Sequence, residues 1–255
     1  MSESSIPRRR FIATALFGGS AAFAAVPIVR RRAPEPGRLE SRPRKATKSV
    51  QPGETILSTE GDGRHSVLYV PPGYDASRPA PFVLALHGAT GSGDSMLRPT
   101  RPPADRHGAI VLAPSSAGGT WDGIRGNFSD DLPRIDRMLA DVFDRCNVNP
   151  SRVAVAGMSD GASYALTLGL INGDLFTHVI AHSAGFIIPG SPHGRRPKVF
   201  LSHGRQDRIL PIDQCGRRIA ADLRREGYAL DYEEFDGGHM ASPEMREKAF
   251  AWFLS

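Results

Sequence analysis

Short apolar runs alternate with longer amphipathic segments from residue 64 to the end of the chain. Runs rich in β-branched residues predict strands, and segments with helical spacing predict helices. The predicted strands cover residues 65–70, 82–86, 109–113, 152–156, 178–181, 198–202 and 230–235. The predicted helices lie within 130–146, 159–171, 212–226 and 243–253. This alternation is typical of an α/β fold, with a mostly parallel twisted sheet and helices on both faces.

The first 29 residues have a different pattern. Three arginines, Arg8 to Arg10, precede an uncharged stretch from residue 11 to 29, in which residues 22–24 (AFA) offer a small-residue cleavage site. The pattern resembles a twin-arginine export signal cut near Ala24, which predicts a secreted or periplasmic protein. The alternative is a membrane anchor, which needs about 20 apolar residues. The chain would therefore contact a membrane only if the leader stays uncut.

Residues 30–52 lack apolar periodicity and combine Pro, Arg and Lys. This composition predicts a disordered or extended linker outside the fold. Residues 53–255 then form a single catalytic domain, which their length and hydrophobic content allow.

The net charge of +5 is concentrated at the N-terminus. Residues 1–50 hold eleven Lys/Arg against three Glu, which leaves 21 basic and 24 acidic residues for the remainder. The predicted domain is thus mildly acidic, and we expect no nucleic-acid partner.

The chain has two cysteines, Cys146 and Cys215, and neither has the spacing of a metal site. Cys146 ends a predicted helix at one edge of the sheet, and Cys215 begins another near the opposite edge. We expect them to be too far apart for a disulfide. The sequence predicts no metal and no cofactor, and we expect a monomer.

The strongest motif is G-x-S-x-G at residues 157–161 (GMSDG). It lies between a predicted strand and a predicted helix, which is the setting of a nucleophile elbow. The glycines are needed because the sharp turn leaves no room for a Cβ atom. Ser159 is therefore the predicted nucleophile.

A nucleophilic serine needs a base and an orienting acid. Asp207 follows a predicted strand in the segment 202–207, and His239 follows the last predicted strand in a glycine-containing loop. We predict these two as the acid and the base. Asp213 is the rival acid, which we expect inside the next helix, and Asp236 lies too close to His239 in sequence.

The tetrahedral intermediate of ester hydrolysis needs two backbone donors for its oxyanion. The glycine-rich turn at residues 86–93 supplies one, at Ala89 with Thr90 as the near alternative, and Asp160 supplies the other. Among the other histidines, His87 is predicted to be structural and His203 to brace the acid loop. A role for His182 stays open.

These motifs, together with residues 69–75 (YVPPGYD), resemble the α/β-hydrolase superfamily. Within it, residues 64–255 look like the phospholipase/carboxylesterase and the polyhydroxybutyrate-depolymerase or feruloyl-esterase-like groups. The resemblance implies a serine carboxylic-ester hydrolase that works through an acyl-enzyme. The depolymerase pattern usually has Cys or Gln where this chain has Ala89-Thr90-Gly91, which argues against a polymer substrate. An acyltransferase, and a polyester or feruloyl ester hydrolase, remain as alternatives.

Residues 183–197 are too short for a mobile lid or a cap domain. We expect Phe186 to form one apolar wall of the pocket, with Met158 beside the nucleophile as another substrate contact. Trp121 is a further predicted contact, with a packed loop anchor as the alternative. An open, shallow cleft predicts a preference for short acyl esters.

Overall fold

The computed structural model describes residues 35–255. The predicted export signal lies outside the described residues. The ten strands are β1 (Gly53–Thr59), β2 (His65–Val70), β3 (Ala80–Leu86), β4 (Ile110–Ala113), β5 (Val148–Met158), β6 (Asn172–Gly173), β7 (His178–His182), β8 (His193–Gly194), β9 (Lys198–Gly204) and β10 (Leu230–Phe235). The five α-helices are α1 (Gly93–His107), α2 (Asp131–Arg145), α3 (Asp160–Ile171), α4 (Gly216–Arg225) and α5 (Pro243–Leu254), with a short 3₁₀ helix at Asp122–Arg125.

Eight strands form one sheet in the order β1-β2-β4-β3-β5-β7-β9-β10. β1 pairs antiparallel with β2, and β2 pairs antiparallel with β4. From β4 to β10 all pairings are parallel. The sheet confirms the predicted α/β-hydrolase fold, in which the carboxyl ends of the parallel strands meet at one edge.

Two apolar cores cover the two faces of the sheet. One core packs α2, α3 and α4 against one face, and the other packs α1 and α5 against the opposite face. α3 is the most buried helix, because every residue after Asp160 is buried. No helix within residues 35–255 is long and apolar enough to cross a bilayer.

Five elements were not predicted, namely β1, α1, the short 3₁₀ helix and the two-residue strands β6 and β8. β1 is an edge strand whose residues are all partly exposed, so it lacks a strong apolar signal. α1 contains Pro99, Pro102 and Pro103, which remove backbone donors from its interior. It forms nevertheless, because Ser92 and Ser95 make a capping box and its buried face packs against β2, β3 and β4.

The segment 35–52 differs from the prediction, because it packs against the body instead of lying outside the fold. Residues 35–52 belong to the same compact unit as the body. Leu39 is fully buried, and its N–H donates to the Asn172 side chain at 2.8 Å. Basic side chains of the segment pair with acids of the body, as Arg38 does with Asp174 and Arg44 with Asp144. The basic composition is thus matched by acidic partners far away in sequence.

Candidate active site

Ser159 stands between the end of β5 and the start of α3, with φ 59° and ψ −122°. A non-glycine residue rarely adopts such a positive φ, and such strain occurs at functional sites. The turn is held by the N–H of Ser159, which donates to the carbonyl of His182 at 3.0 Å. A Cβ on Gly157 would overlap the carbonyl of Gly161, and one on Gly161 would overlap that of Leu86. The glycines are therefore required by close backbone approach.

The structure brings Ser159, His239 and Asp207 together from three separate loops. His239 Nε2 lies 2.8 Å from Ser159 Oγ, and His239 Nδ1 lies 2.7 Å from Asp207 Oδ2. Because a carboxylate can only accept, Nδ1 carries the hydrogen and Nε2 is left to accept from the serine hydroxyl. This is the geometry of a nucleophile, a base and an orienting acid.

Asp207 is buried and held by its own loop. Its Oδ1 accepts from the N–H groups of Ile209 and Leu210, both at 2.9 Å. Burial acts to raise the pKa of Asp207, but the Leu210 N–H and the His239 imidazole outweigh it, and the pKa is lowered. The acid is therefore ionised and ready to accept from His239 at neutral pH.

His203 supports the same loop from below. It is fully buried, and its Nε2 donates to the carbonyl of Leu210 at 2.7 Å while lying 3.2 Å from Asp207 Oδ2. The predicted bracing position agrees with these contacts.

The rival acids lie elsewhere. Asp213 is 76% exposed, precedes α4 instead of lying inside it, and pairs with Arg217 at 2.7 Å. Asp236 is 81% exposed and pairs with Arg205 at 2.8 Å. Neither carboxylate contacts His239, whereas Asp207 does.

The two predicted oxyanion donors have different surroundings from the alternative, Thr90. The N–H of Thr90 donates to the carbonyl of Gly119 at 2.6 Å, so it is already engaged. The N–H of Ala89 has no partner within residues 35–255. Asp160 is the first residue of α3, where an N–H has no intrahelical partner. A Cβ on Gly88 would lie 3.3 Å from the Cβ of Ser159, so the glycine-rich turn approaches the serine closely.

Trp121 is fully buried, which favours the loop-anchor alternative over the predicted substrate contact. Its indole N–H donates to the carbonyl of His87 at 2.8 Å, and the two rings are 4.5 Å apart. His87 in turn donates from Nδ1 to the Gly88 carbonyl and accepts at Nε2 from the N–H of Ser116. Burial lowers the pKa of His87. A neutral histidine and a tryptophan thus brace the oxyanion turn.

Phe186 and Met158 are half-buried, which leaves part of each side chain available for contact. The segment around Phe186 is held by hydroxyl groups of α3. Ser163 Oγ accepts from the N–H of Gly185 at 3.0 Å, and Thr167 Oγ1 accepts from the N–H of Ile188 at 3.0 Å. The segment is therefore a fixed wall built on the helix that follows the nucleophile.

His182 lies at the end of β7 and is buried. Its Nδ1 is 2.7 Å from Ser202 Oγ, and burial lowers its pKa to about 3. A histidine that stays neutral and bonds to a buried serine is a structural residue, and its carbonyl holds the Ser159 turn.

Thr120 was not singled out by sequence analysis, although it contacts the site. Its hydroxyl donates to the Asp160 carboxylate at 2.7 Å. A threonine in a loop carries no local signal of such a contact, which joins residues 40 positions apart.

Within residues 35–255 no group of three His, Cys, Asp or Glu side chains could hold a metal ion. Cys146 and Cys215 are both buried and free. The site is built from side chains and backbone amides.

The model of the family described as Esterase matches residues 135–210. Feruloyl esterase C of Emericella nidulans is 30% identical over 226 residues, which cover 76% of this chain and 82% of that protein. A poly(3-hydroxybutyrate) depolymerase of Ralstonia pickettii is 31% identical over 117 residues, or 38% of this chain and 24% of that protein. Among solved structures, the Staphylococcus aureus serine hydrolase FphF superposes with a TM-score of 0.64 at 16% identity, over 81% of this chain and 100% of that chain. The chain is a serine esterase that belongs to the family of feruloyl esterase C, within the α/β-hydrolase superfamily.

Proposed function

We propose that the chain hydrolyses carboxylic esters through an acyl-enzyme on Ser159, with His239 as the base and Asp207 as the orienting acid. One observation carries the assignment. His239 joins the other two side chains by contacts of 2.8 Å to Ser159 Oγ and 2.7 Å to Asp207 Oδ2.

In the first half of the reaction, Ser159 Oγ attacks the ester carbonyl carbon while His239 Nε2 takes the hydroxyl proton. The carbonyl oxygen becomes an oxyanion, which the N–H groups of Ala89 and Asp160 stabilise. When the intermediate collapses, His239 returns the proton to the leaving alkoxide and the alcohol departs. The acyl group stays on Ser159.

In the second half, His239 deprotonates a water molecule, which attacks the acyl carbon in the same oxyanion environment. The carboxylic acid leaves, and Ser159 recovers its proton from His239. Asp207 remains ionised throughout and keeps the Nδ1 hydrogen of His239 in place.

The assignment is tested by burst kinetics with p-nitrophenyl acetate and mass spectrometry of the quenched enzyme. We expect a burst of one p-nitrophenol per active enzyme and an acetyl group on the tryptic peptide that contains Ser159. Acetyl found on another serine, or none on any residue during turnover, would contradict it.

We further propose that the preferred acyl groups are short, about two to six carbons. Residues 183–197 contain no helix and only the two-residue strand β8, so they form no mobile helical lid. A long chain at an open site would leave much of its apolar surface in water and gain little binding. We expect the half-buried side chain of Phe186 to provide one apolar surface for the acyl group.

A panel of p-nitrophenyl esters from acetate to palmitate, with methyl ferulate and a polyester film, tests this preference. We expect kcat/KM to be highest for acyl groups of about two to six carbons and not to rise when the substrate forms micelles. A maximum at long chains with a jump above the micellar concentration would refute the proposal. If methyl ferulate is the best substrate, this chain shares the feruloyl esterase activity for which its relative is named.

We also propose export through the leader at residues 1–29, with Arg9 and Arg10 as the twin-arginine pair. The support is the arginine cluster and the uncharged stretch that follows it. N-terminal sequencing of the protein from the native host's cell fractions would test both the export and the cleavage near Ala24.

A further inference from the structure

A cavity of about 680 Å³ lies at the edge of the sheet opposite the active site. It is lined by the amino ends of β7 and β9, where Lys198 begins β9, and by Arg152 in the first half of β5. The extended chain of β5 leads from Arg152 to Ser159, seven residues further along. At ~3.3 Å per residue, Arg152 lies roughly 20 Å from the nucleophile. This basic cavity is therefore distinct from the ester site.

Three cations line the basic cavity without a carboxylate partner. Arg195, Arg196 and Lys198 are all exposed, and none of them forms an ion pair within residues 35–255. The guanidinium of Arg196 lies over the Tyr228 ring at 5.4 Å, a contact that fixes its place without neutralising its charge.

The carboxylates at the same edge are engaged by other arginines. Asp174 lines the cavity, but Arg38 and Arg42 bind it at 2.5 and 2.6 Å. Arg152 donates to the C-terminal residue Ser255 at 2.8 Å. The three cations are thus left with an uncompensated positive field.

A histidine of the cavity wall is independently unsatisfied. His178 is 4% exposed, and its Nε2 has no hydrogen-bond partner within the described part of the chain. Burial, followed by the charges of Lys198 and Arg152, lowers its pKa to about 4. Its ring packs edge-on against Trp252 and Phe253. An anion bound beside Lys198 would offset the positive charge that helps to lower this pKa.

The frame of the cavity is rigid. β6 and β8 pair at its rim, and a Cβ on Gly173 would overlap the carbonyl of Arg195. Gly194 has φ 79°, and a Cβ there would lie 2.5 Å from the N of Asp174. The backbone that presents Arg195 is therefore held in place before any ligand arrives.

We propose that the basic cavity binds a phosphate-bearing anion. Three neighbouring positive charges favour a ligand that carries more than one negative charge or several oxygen atoms. The planar guanidinium group of an arginine can donate two hydrogen bonds to phosphate oxygens at once. The source is either a free phosphate compound or the headgroup of an anionic lipid.

The test compares the full chain with the variant Arg195→Gln/Arg196→Gln/Lys198→Gln. The matched control, Arg98→Gln/Arg137→Gln/Arg225→Gln, removes the same charge from other surfaces. Each protein is titrated with inorganic pyrophosphate by calorimetry and sedimented with phosphatidylcholine vesicles that contain phosphatidylglycerol. Hydrolysis of p-nitrophenyl acetate reports whether each variant is folded.

We expect the cavity variant to lose at least tenfold in affinity for one of the two probes, while the control binds like the unmodified chain. Loss with pyrophosphate identifies a free phosphate compound as the source, and loss with vesicles alone identifies the lipid headgroup. Ester hydrolysis should be unchanged in both variants. Binding of neither probe by the unmodified chain, or equal binding by both variants, would overturn the proposal. If the triple variant does not fold, the single variants Arg195→Gln and Lys198→Gln, at exposed positions, decide the question in the same way.

Discussion

The hydroxyl of Thr120 donates to the carboxylate of Asp160 at 2.7 Å. Asp160 is also the residue whose backbone N–H we propose as an oxyanion donor, so a negative side chain and an anion-binding amide belong to the same residue. The Thr120 contact holds that carboxylate in place at the start of α3. A free carboxylate near the oxyanion would oppose the charge that forms in the transition state.

We predict that Thr120→Val lowers kcat/KM for p-nitrophenyl acetate about tenfold, because a lost hydrogen bond to a charged group is worth about 1.5–3 kcal/mol. Thr120→Ser keeps the hydroxyl and should restore activity. Equal activity in the Val and Ser variants would show that the contact does not position Asp160.

Replacement of the nucleophile should abolish turnover. We predict that Ser159→Ala lowers kcat on the order of 10⁴-fold or more while the melting temperature is kept, since alanine is small enough for the turn. Ser191→Ala, at an exposed position, is the control. More than a tenth of the original activity in purified Ser159→Ala would refute the assignment.

The choice of acid is tested by two isosteric variants. Asp207→Asn removes the charge that orients His239 and should lower kcat by several orders of magnitude. Asp213→Asn removes only an exposed pair with Arg217 and should have little effect. Similar losses in the two variants would mean that Asp207 is not the orienting acid.

Two tryptophans provide a matched test of the oxyanion turn. Trp121→Phe loses the indole bond to the His87 carbonyl, and we expect it to lose about 1–3 kcal/mol of stability and a part of kcat. Trp252→Phe loses an exposed indole bond to Asp231 and should keep kcat. Thermal melting and kcat for p-nitrophenyl acetate measure both effects. An unchanged kcat in stable Trp121→Phe would show that the turn does not depend on this anchor.

Docking of the segment 35–42 should depend on pH through Asp174. The hydrogen bond from Arg38, which outweighs burial, and that from Arg42 lower the pKa of Asp174. A lowered pKa means that the carboxylate stabilises the folded chain above its unfolded pKa of about 4, and that this contribution is lost as the pH falls through the lower folded value. We predict protected amides in 35–42 at pH 5 and weaker protection in Asp174→Asn, measured by hydrogen exchange. Asp222→Asn, which breaks an exposed pair with Arg225, is the control. Equal protection in both variants would contradict the prediction.

The central part of the fold and of the site was predictable because its signals are local. The strands that became β2, β4, β7 and β9 contain continuous apolar or β-branched runs. Helices α2, α3 and α4 lie within the predicted segments, and α5 ends one residue beyond its segment. The turn at Ser159 needs glycines at fixed offsets, so its chemistry is visible in five consecutive residues. Asp207 and His239 follow strands whose carboxyl ends meet at one edge of a parallel sheet.

The sequence by itself thus determined the α/β-hydrolase fold and the residues that meet in the site. Apolar runs and turn glycines are local signals, because each of them occupies only a few consecutive residues. Only the tertiary structure decided that Trp121 is an anchor, that Thr120 reaches Asp160, and that the segment 35–52 is docked. Each of these depends on a partner tens of residues away, such as Asp174 for Arg38. Apolar periodicity predicts which face of a helix or strand is buried. It does not predict which charged and hydrogen-bonding groups come into contact when the helices and strands pack together.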